Sequence, residues 1–193
     1  MSNYSFWALL FRQKHIKRWG LMHNLVPESL SEHTTEVAFI AHALANIGNT
    51  YFGKHYDTDR VTTLALFHDA PEVFTGDLPT PIKYFDDTSK ESYSRIESKA
   101  IDAMLAKLPP ELVPQYDSIL RCGDAELHTL VKAADKVCAY IKCVNEAKCG
   151  NHDFDTAKRA TYNSLCKMKC PELEWFMDNV LPSFELTIDE MQF

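Results

Sequence analysis

The chain of 193 residues is 46% hydrophobic and 24% charged, a balance that lets it bury one sizeable core as a single domain over 1–193. Its 27 acidic against 20 basic residues give a formal net charge of -7, which argues against a broad grip on a nucleic-acid polymer or an anionic membrane. No run approaches the roughly eighteen apolar residues of a membrane span, the start Met1-Ser2-Asn3-Tyr4-Ser5 lacks a signal-peptide layout, and the six cysteines form no CxxC pair, so a reducing cytoplasm without structural disulfides is expected.

Taken in chain order, Ser5 to Arg18 is a first helix candidate. Ser29-Leu30-Ser31-Glu32 matches a capping box, and Val37, Ile40, Ala41, Leu44 and Ile47 then recur at spacings of three and four. This predicts a helix from about Ser31 to Asn46, ended near Gly48. Asp57 or Thr58 can cap the next helix, whose stripe Val61, Leu64, Ala65 and His68 meets a limit at Pro71. The run Thr75-Gly76-Asp77-Leu78-Pro79-Thr80-Pro81 reads as an ordered loop. Ser89 to Leu108 is amphipathic through Tyr93, Ile96, Ala100, Ile101, Met104 and Leu105, and stops at Pro109-Pro110. A shorter helix fits Glu111 to Arg121. Asp124 can cap a long one to about Lys148, with Leu127, Leu130, Val131, Ala134, Cys138 and Ile141 buried and Gly150 closing it. Helices near Thr156 to Met168 and Pro171 to Val180 follow. With no strand pair, internal repeat or low-complexity linker, the expected fold class is all-α, built as one helical bundle.

Four residues on these faces are ionisable where apolar side chains are expected: His33, His68, Asp69 and Asp135. His33 lies four positions before Val37 on the core side, whereas His42 faces nearly the opposite way. Burying an ionised Asp135 without a partner would cost several kcal/mol or force it to take up a proton. Two imidazoles and two carboxylates from three helices suit a divalent ion, with positions left for water and a phosphate oxygen. Any one of them alone reads more often as a hydrogen-bonded core residue or a cap than as a ligand; the set is what points to a metal. Glu72, one turn after the His68-Asp69 doublet, is placed to handle protons without ligating. Arg18 offers a planar fork to a phosphate, or is a solvated charge. Trp19 offers a flat face to a sugar or base, or is packing. Asp77 can accept from a sugar hydroxyl or cap an ordinary turn, Lys83 is a possible second phosphate contact, and Lys132 is expected outside the immediate shell.

Beyond the doublet, Arg18-Trp19, Ser31-Glu32-His33, His68-Asp69-Ala70-Pro71-Glu72, Thr75 to Pro81, Lys132-Ala133-Ala134-Asp135 and the late Pro182-Ser183-Phe184 resemble the HD superfamily of metal-dependent phosphohydrolases, and within it the bacterial 5'-deoxynucleotidases of the YfbR type. The resemblance implies a single HD domain and release of phosphate from deoxyribonucleoside 5'-monophosphates. It implies one divalent ion per chain (Co, Mn, Mg, Fe or Zn) held by His33, His68, Asp69 and Asp135, with Glu72 as acid/base. It further implies that Arg18 orients the phosphate, that Trp19 packs against the nucleoside, that Asp77, Leu78, Pro79 and Thr80 line the sugar side, and that His33, Asp69 and Asp135 border the substrate as well as the metal. A homodimer is implied too, with Trp7, Phe11 or Trp175 as contributors. Pro71 departs from the small residue, such as serine, of relatives. The same scaffold leaves triphosphate or phosphodiester hydrolysis, di-iron oxygenation and a non-catalytic nucleotide sensor as alternatives, the last opposed by the intact Glu72.

Overall fold

A computed structural model describes residues 4–83 and 85–191; the side chains of Thr80 and Pro81 lie outside the described residues. Among those residues the chain is helical, with a lone antiparallel bridge between Lys17 and Ser29 and no strand.

The longest helices form where the sequence supplies both a cap and a stripe. In α2 (Leu30–Tyr51), the Ser29 hydroxyl accepts from the Glu32 amide while the Glu32 carboxylate accepts from the Ser29 amide, satisfying two otherwise orphaned donors. Asp57 caps α3 (Thr58–Phe67) by accepting from the Arg60 amide, and Asp124 caps α8 (Ala125–Lys148) by accepting from two first-turn amides. Between them come α4 (Glu72–Thr75), α5 (Thr80–Lys83), α6 (Asp87–Leu105, capped by Asp86) and α7 (Val113–Leu120); α9 (Asp155–Leu165) and α10 (Pro171–Asn179) complete the chain.

Three boundaries differ from the sequence expectation, the first two because of distant partners. The N-terminal helix is not continuous to Arg18: α1 (Phe6–Leu10) passes into a 3-10 turn over Phe11–His15. Beyond it the backbone is drawn out, with Arg18 N–H donating to Glu28 O at 3.0 Å and Leu30 N–H to Ile16 O at 2.9 Å. Helix α2 does not stop at Gly48 but runs through it, because a Cβ there would lie 2.6 Å from a Tyr56 ring carbon; the glycine admits a neighbour rather than ending the helix. The segment after Thr75 is irregular only to Pro79, and Thr80–Lys83 forms a helical turn, since proline is compatible with a first turn.

Helices α2, α3 and α8 share the main core, in which Val37, Ala41, Leu44, Val61, Ala65, Leu130, Ala134 and Val137 meet Leu173 and Phe176 of α10. Each such large side chain contributes roughly 1.5–3 kcal/mol on burial. A second cluster joins Phe6 of α1, Ala70, and Ile101, Met104 and Leu105 of α6. The His68-Asp69 doublet sits at the seam, between Ala65 of the first cluster and Ala70 of the second. All six cysteines are free, and among the described residues no helix is long and apolar enough to cross a membrane.

Candidate metal centre and active site

His33 is presented by the first turn of α2 and is 0% exposed. His68 follows the last turn of α3, where its Nδ1 lies 2.7 Å from the Ala65 carbonyl oxygen. That bond fixes the ring and leaves Nε2 aimed at the centre, buried and with no hydrogen-bond partner. Asp135, midway along α8, brings Oδ1 to 3.1 Å from His33 Nε2. One donor atom from each of His33, His68 and Asp135 lies within 4.8 Å of the others. Asp69 borders the same point, its Oδ2 standing 3.1 Å from His68 Nε2 and 3.8 Å from His33 Nε2. An orphaned imidazole nitrogen facing a second imidazole and carboxylates fits a divalent cation. Asp135 is less enclosed than its place in the helix stripe suggests: its side chain is 40% exposed, because it borders a cleft. His42, as expected, is exposed.

The electrostatics are those of a site that gathers charge. Burial opposes ionisation of His68, but adjacent Asp69 outweighs it and pushes the imidazole up to about 9. Burial would raise Asp69, yet His68, His33 and Arg18 hold it well below the usual carboxylate range. Glu72 goes the other way. It is 4% exposed, and burial first, then the negative charge of Asp69, push its carboxyl up to about 7, against the pull of Lys83. Lys83 Nζ donates to Glu72 Oε1 at 2.7 Å, while Oε2 is buried without a partner. The acid group is thus held by one oxygen and free at the other, with its pKa near neutrality.

Arg18 lies off the helix, in the extended segment. Its Nη1 is 3.6 Å from Asp69 Oδ2 and 3.8 Å from Asp77 Oδ1, so it borders the centre through Asp69. Trp19 has φ +58, a left-handed conformation that non-glycine residues rarely adopt. It is held there by its own N–H donating to Asp77 Oδ2 at 3.2 Å, by its indole N–H donating to Glu28 Oε2 at 2.9 Å, and by Asn24 donating to its carbonyl. Its ring packs against Phe154 at 5.3 Å, so part of its surface is already engaged. Leu78 and Pro79 are half-buried and lead from Asp77 into α5.

A cavity of about 590 Å³ opens from His68, Asp69, Glu72 and Asp135 towards Lys83, Tyr93 and other residues. Lys132 is exposed on its wall, outside the cluster. Glu28, buried between Arg18, Trp19 and His33, was not visible in the sequence: Pro27-Glu28-Ser29 reads as the approach to a cap, and no periodicity marks a loop residue as buried.

A family model described as YfbR-like 5'-deoxynucleotidase matches residues 5–184. A 5'-deoxynucleotidase of Vibrio vulnificus is 43% identical over 193 residues, covering 99% of this chain and 100% of that one. A 5'-deoxynucleotidase of Yersinia pseudotuberculosis is 44% identical over 188 residues, covering 96% and 95%. Among solved structures, an HD-domain phosphohydrolase of Listeria innocua superposes with a TM-score of 0.84 at 22% identity, covering 95% of this chain and 90% of that one. A cyanophage S-2L HD phosphohydrolase bound to dA and one catalytic Zn²⁺ ion gives a TM-score of 0.63 at 22% identity, covering 91% and 96%. At such identity the structural likenesses speak to the fold.

Proposed function

The chain belongs to the YfbR-like 5'-deoxynucleotidase family, and on that premise we propose that it hydrolyses deoxyribonucleoside 5'-monophosphates to deoxyribonucleoside and phosphate through the cluster around His33, His68 and Asp135. The observation that carries this is the approach of those three donors to within 4.8 Å beside the buried acid Glu72.

His33, His68, Asp69 and Asp135 would hold one divalent ion per chain. When bound, that ion supplies positive charge to the phosphoryl oxygens and makes water a better nucleophile at neutral pH. Arg18 orients the phosphate with its guanidinium fork, the donor geometry a phosphoryl group takes best. Glu72, through its unpartnered Oε2, takes a proton from the attacking water as that oxygen bonds to phosphorus, and returns it to the 5'-oxygen as the ester bond breaks. Its pKa of about 7 suits both halves of that exchange. Trp19 and the Asp77, Leu78, Pro79 and Thr80 segment flank the nucleoside, and selection for deoxyribose comes from leaving a 2'-hydroxyl without space or partner.

The donor set accepts Co, Mn, Mg, Fe or Zn, and the Zn²⁺ of the cyanophage neighbour favours trying Zn first. A homodimer is proposed on family grounds, with exposed Phe11 and Trp7 as contributors; light scattering on the eluting peak tests it. The net charge of -7 supports an enzyme acting on small nucleotides rather than on nucleic-acid polymers.

The test is phosphate release from matched deoxy and ribo 5'-monophosphates by metal-stripped protein, with single cations added back. Turnover of dAMP well above AMP, restored by one or more cations, is expected. Release from dATP or a cyclic nucleotide with none from dAMP would refute the monophosphatase reading.

A further inference from the structure

Two buried nitrogens on opposite sides of one carboxylate have no hydrogen-bond partner: Nδ1 of His33 and Nε of Arg18. Glu28 stands between them. Its Oε1 is 3.6 Å from His33 Nδ1, and its Oε2 is 3.4 Å from Arg18 Nε while accepting from Trp19 Nε1 at 2.9 Å. Glu28 is 8% exposed, and its backbone is pinned to the same segment, its carbonyl accepting from the Arg18 N–H at 3.0 Å. It directly precedes Ser29, the cap of α2, so the segment that starts the ligand-bearing helix is also fastened to the segment carrying Arg18 and Trp19.

We propose that Glu28 is the positioning residue that ties the metal ligand His33 to the substrate-facing pair Arg18 and Trp19. Toward His33, a carboxylate facing Nδ1 keeps the proton on that nitrogen and the Nε2 lone pair turned to the centre. Toward Arg18 and Trp19, the other oxygen fixes the guanidinium stem and the indole edge, and helps hold Trp19 in its left-handed backbone conformation. One residue that touches neither metal nor substrate therefore sets the geometry of both. Glutamine cannot replace it: the amide has one acceptor oxygen, so whichever side receives it, the other side's donor faces an NH₂. The inference rests on the proposed metal site but not on which ester is cleaved.

The experiment titrates metal-stripped wild-type protein, Glu28→Gln and Trp19→Phe with Co²⁺ by calorimetry and by the visible spectrum of the bound ion, with a circular-dichroism melt to establish that each is folded. Glu28→Gln is expected to bind Co²⁺ about ten- to a hundredfold more weakly and, at saturating metal, to show a raised KM for dAMP as Arg18 loses its hold. Trp19→Phe removes the indole donor from which Oε2 accepts, together with part of the ring packed against Phe154, and is expected to weaken Co²⁺ binding by a smaller factor, through Glu28. Folded Glu28→Gln with wild-type Co²⁺ affinity and spectrum would overturn the proposal. Should Glu28→Gln fail to fold, Trp19→Phe decides alone: weakened binding supports the tie and unchanged binding overturns it. A wild-type protein that binds Co²⁺ but leaves dAMP intact would instead count against the deoxynucleotidase reading, and the Glu28 comparison would stand.

Discussion

Glu72 and Lys83 are where a single substitution speaks most directly to mechanism. Replacing Glu72 with Gln keeps the side chain's shape and the oxygen that Lys83 grips, but removes a group able to take and return a proton. Turnover of dAMP is expected to fall by about 10²–10⁴-fold with Co²⁺ binding nearly unchanged, read by steady-state assay and calorimetry; a variant as active as wild type would strip Glu72 of its role. Lys83 is best tested by pH. Its ammonium pulls the Glu72 carboxyl down against burial and Asp69, so Lys83→Met should let that carboxyl climb above about 7. If the ionised form accepts the proton, the rising limb of the kcat profile moves to higher pH, and activity lost at neutrality returns in more alkaline buffer. A superimposable profile would mean that Lys83 exerts no control over Glu72. The sequence pointed to Glu72 through its spacing from the doublet, and to Lys83 only as a possible phosphate contact. Its grip on Glu72 spans eleven residues through a loop and a helical turn, a path no periodicity encodes.

At the scale of elements, what could be read ahead were the starts of helices and their buried faces. Ser29 with Glu32, Asp57 and Asp124 all cap as expected, because a cap and the stripe after it are local chemistry. The misread boundaries at Gly48 and beyond Phe11 turn on distant partners instead. Gly48 makes the point testable. Alanine there should add up to about 1 kcal/mol of helix propensity, but its Cβ would sit 2.6 and 2.9 Å from Tyr56 ring carbons and 3.1 Å from Glu172 Cγ. Such overlap typically costs about 1–3 kcal/mol, and it would pull the Tyr56 hydroxyl from Glu172, to which it donates at 3.0 Å. Urea unfolding of Gly48→Ala is expected to show net destabilisation; a gain in stability would mean the ring swings aside freely. A second long-range fastening is Glu146 of α8, which accepts from the Leu25 and Val26 amides, from Asn151 and from Lys142. Although burial would raise it, these donors hold its carboxyl at about 2. Its stabilising share is therefore present above the ordinary glutamate range and is lost as pH falls from about 4.5 through about 2. In Glu146→Gln, the acid-side loss of stability should be smaller than in wild type; an identical decline would place the acid-sensitive group elsewhere.

Across the whole molecule, the candidate metal centre is where α2, the end of α3 and α8 come together, from residue 33 to residue 135. The sequence supplied the candidate donors and the faces on which they lie, but not their convergence, which depends on how the three helices cross. Under the proposed reading, an ion held at that convergence would clamp the fold as well as serve the reaction, and pH reveals the difference. Without metal, His68 is pushed up to about 9 by Asp69 despite burial. A raised folded-state pKa stabilises fully below the unfolded value of about 6.5 and loses that contribution as pH climbs through about 9. The metal-free protein should therefore melt at progressively lower temperature across this window. The ion needs the same nitrogen unprotonated, so it competes with the proton there, and its affinity should rise over the same interval. A cation at a hundredfold excess over its Kd adds about 2.7 kcal/mol to stability, so at fixed cation concentration the metal-induced rise in melting temperature should widen with pH while the metal-free curve falls. Paired calorimetric scans with and without Co²⁺ read both trends at once. An increment that stays flat or shrinks as pH increases would mean that the ion does not displace the His68 proton, and that the doublet's imidazole is not among its ligands.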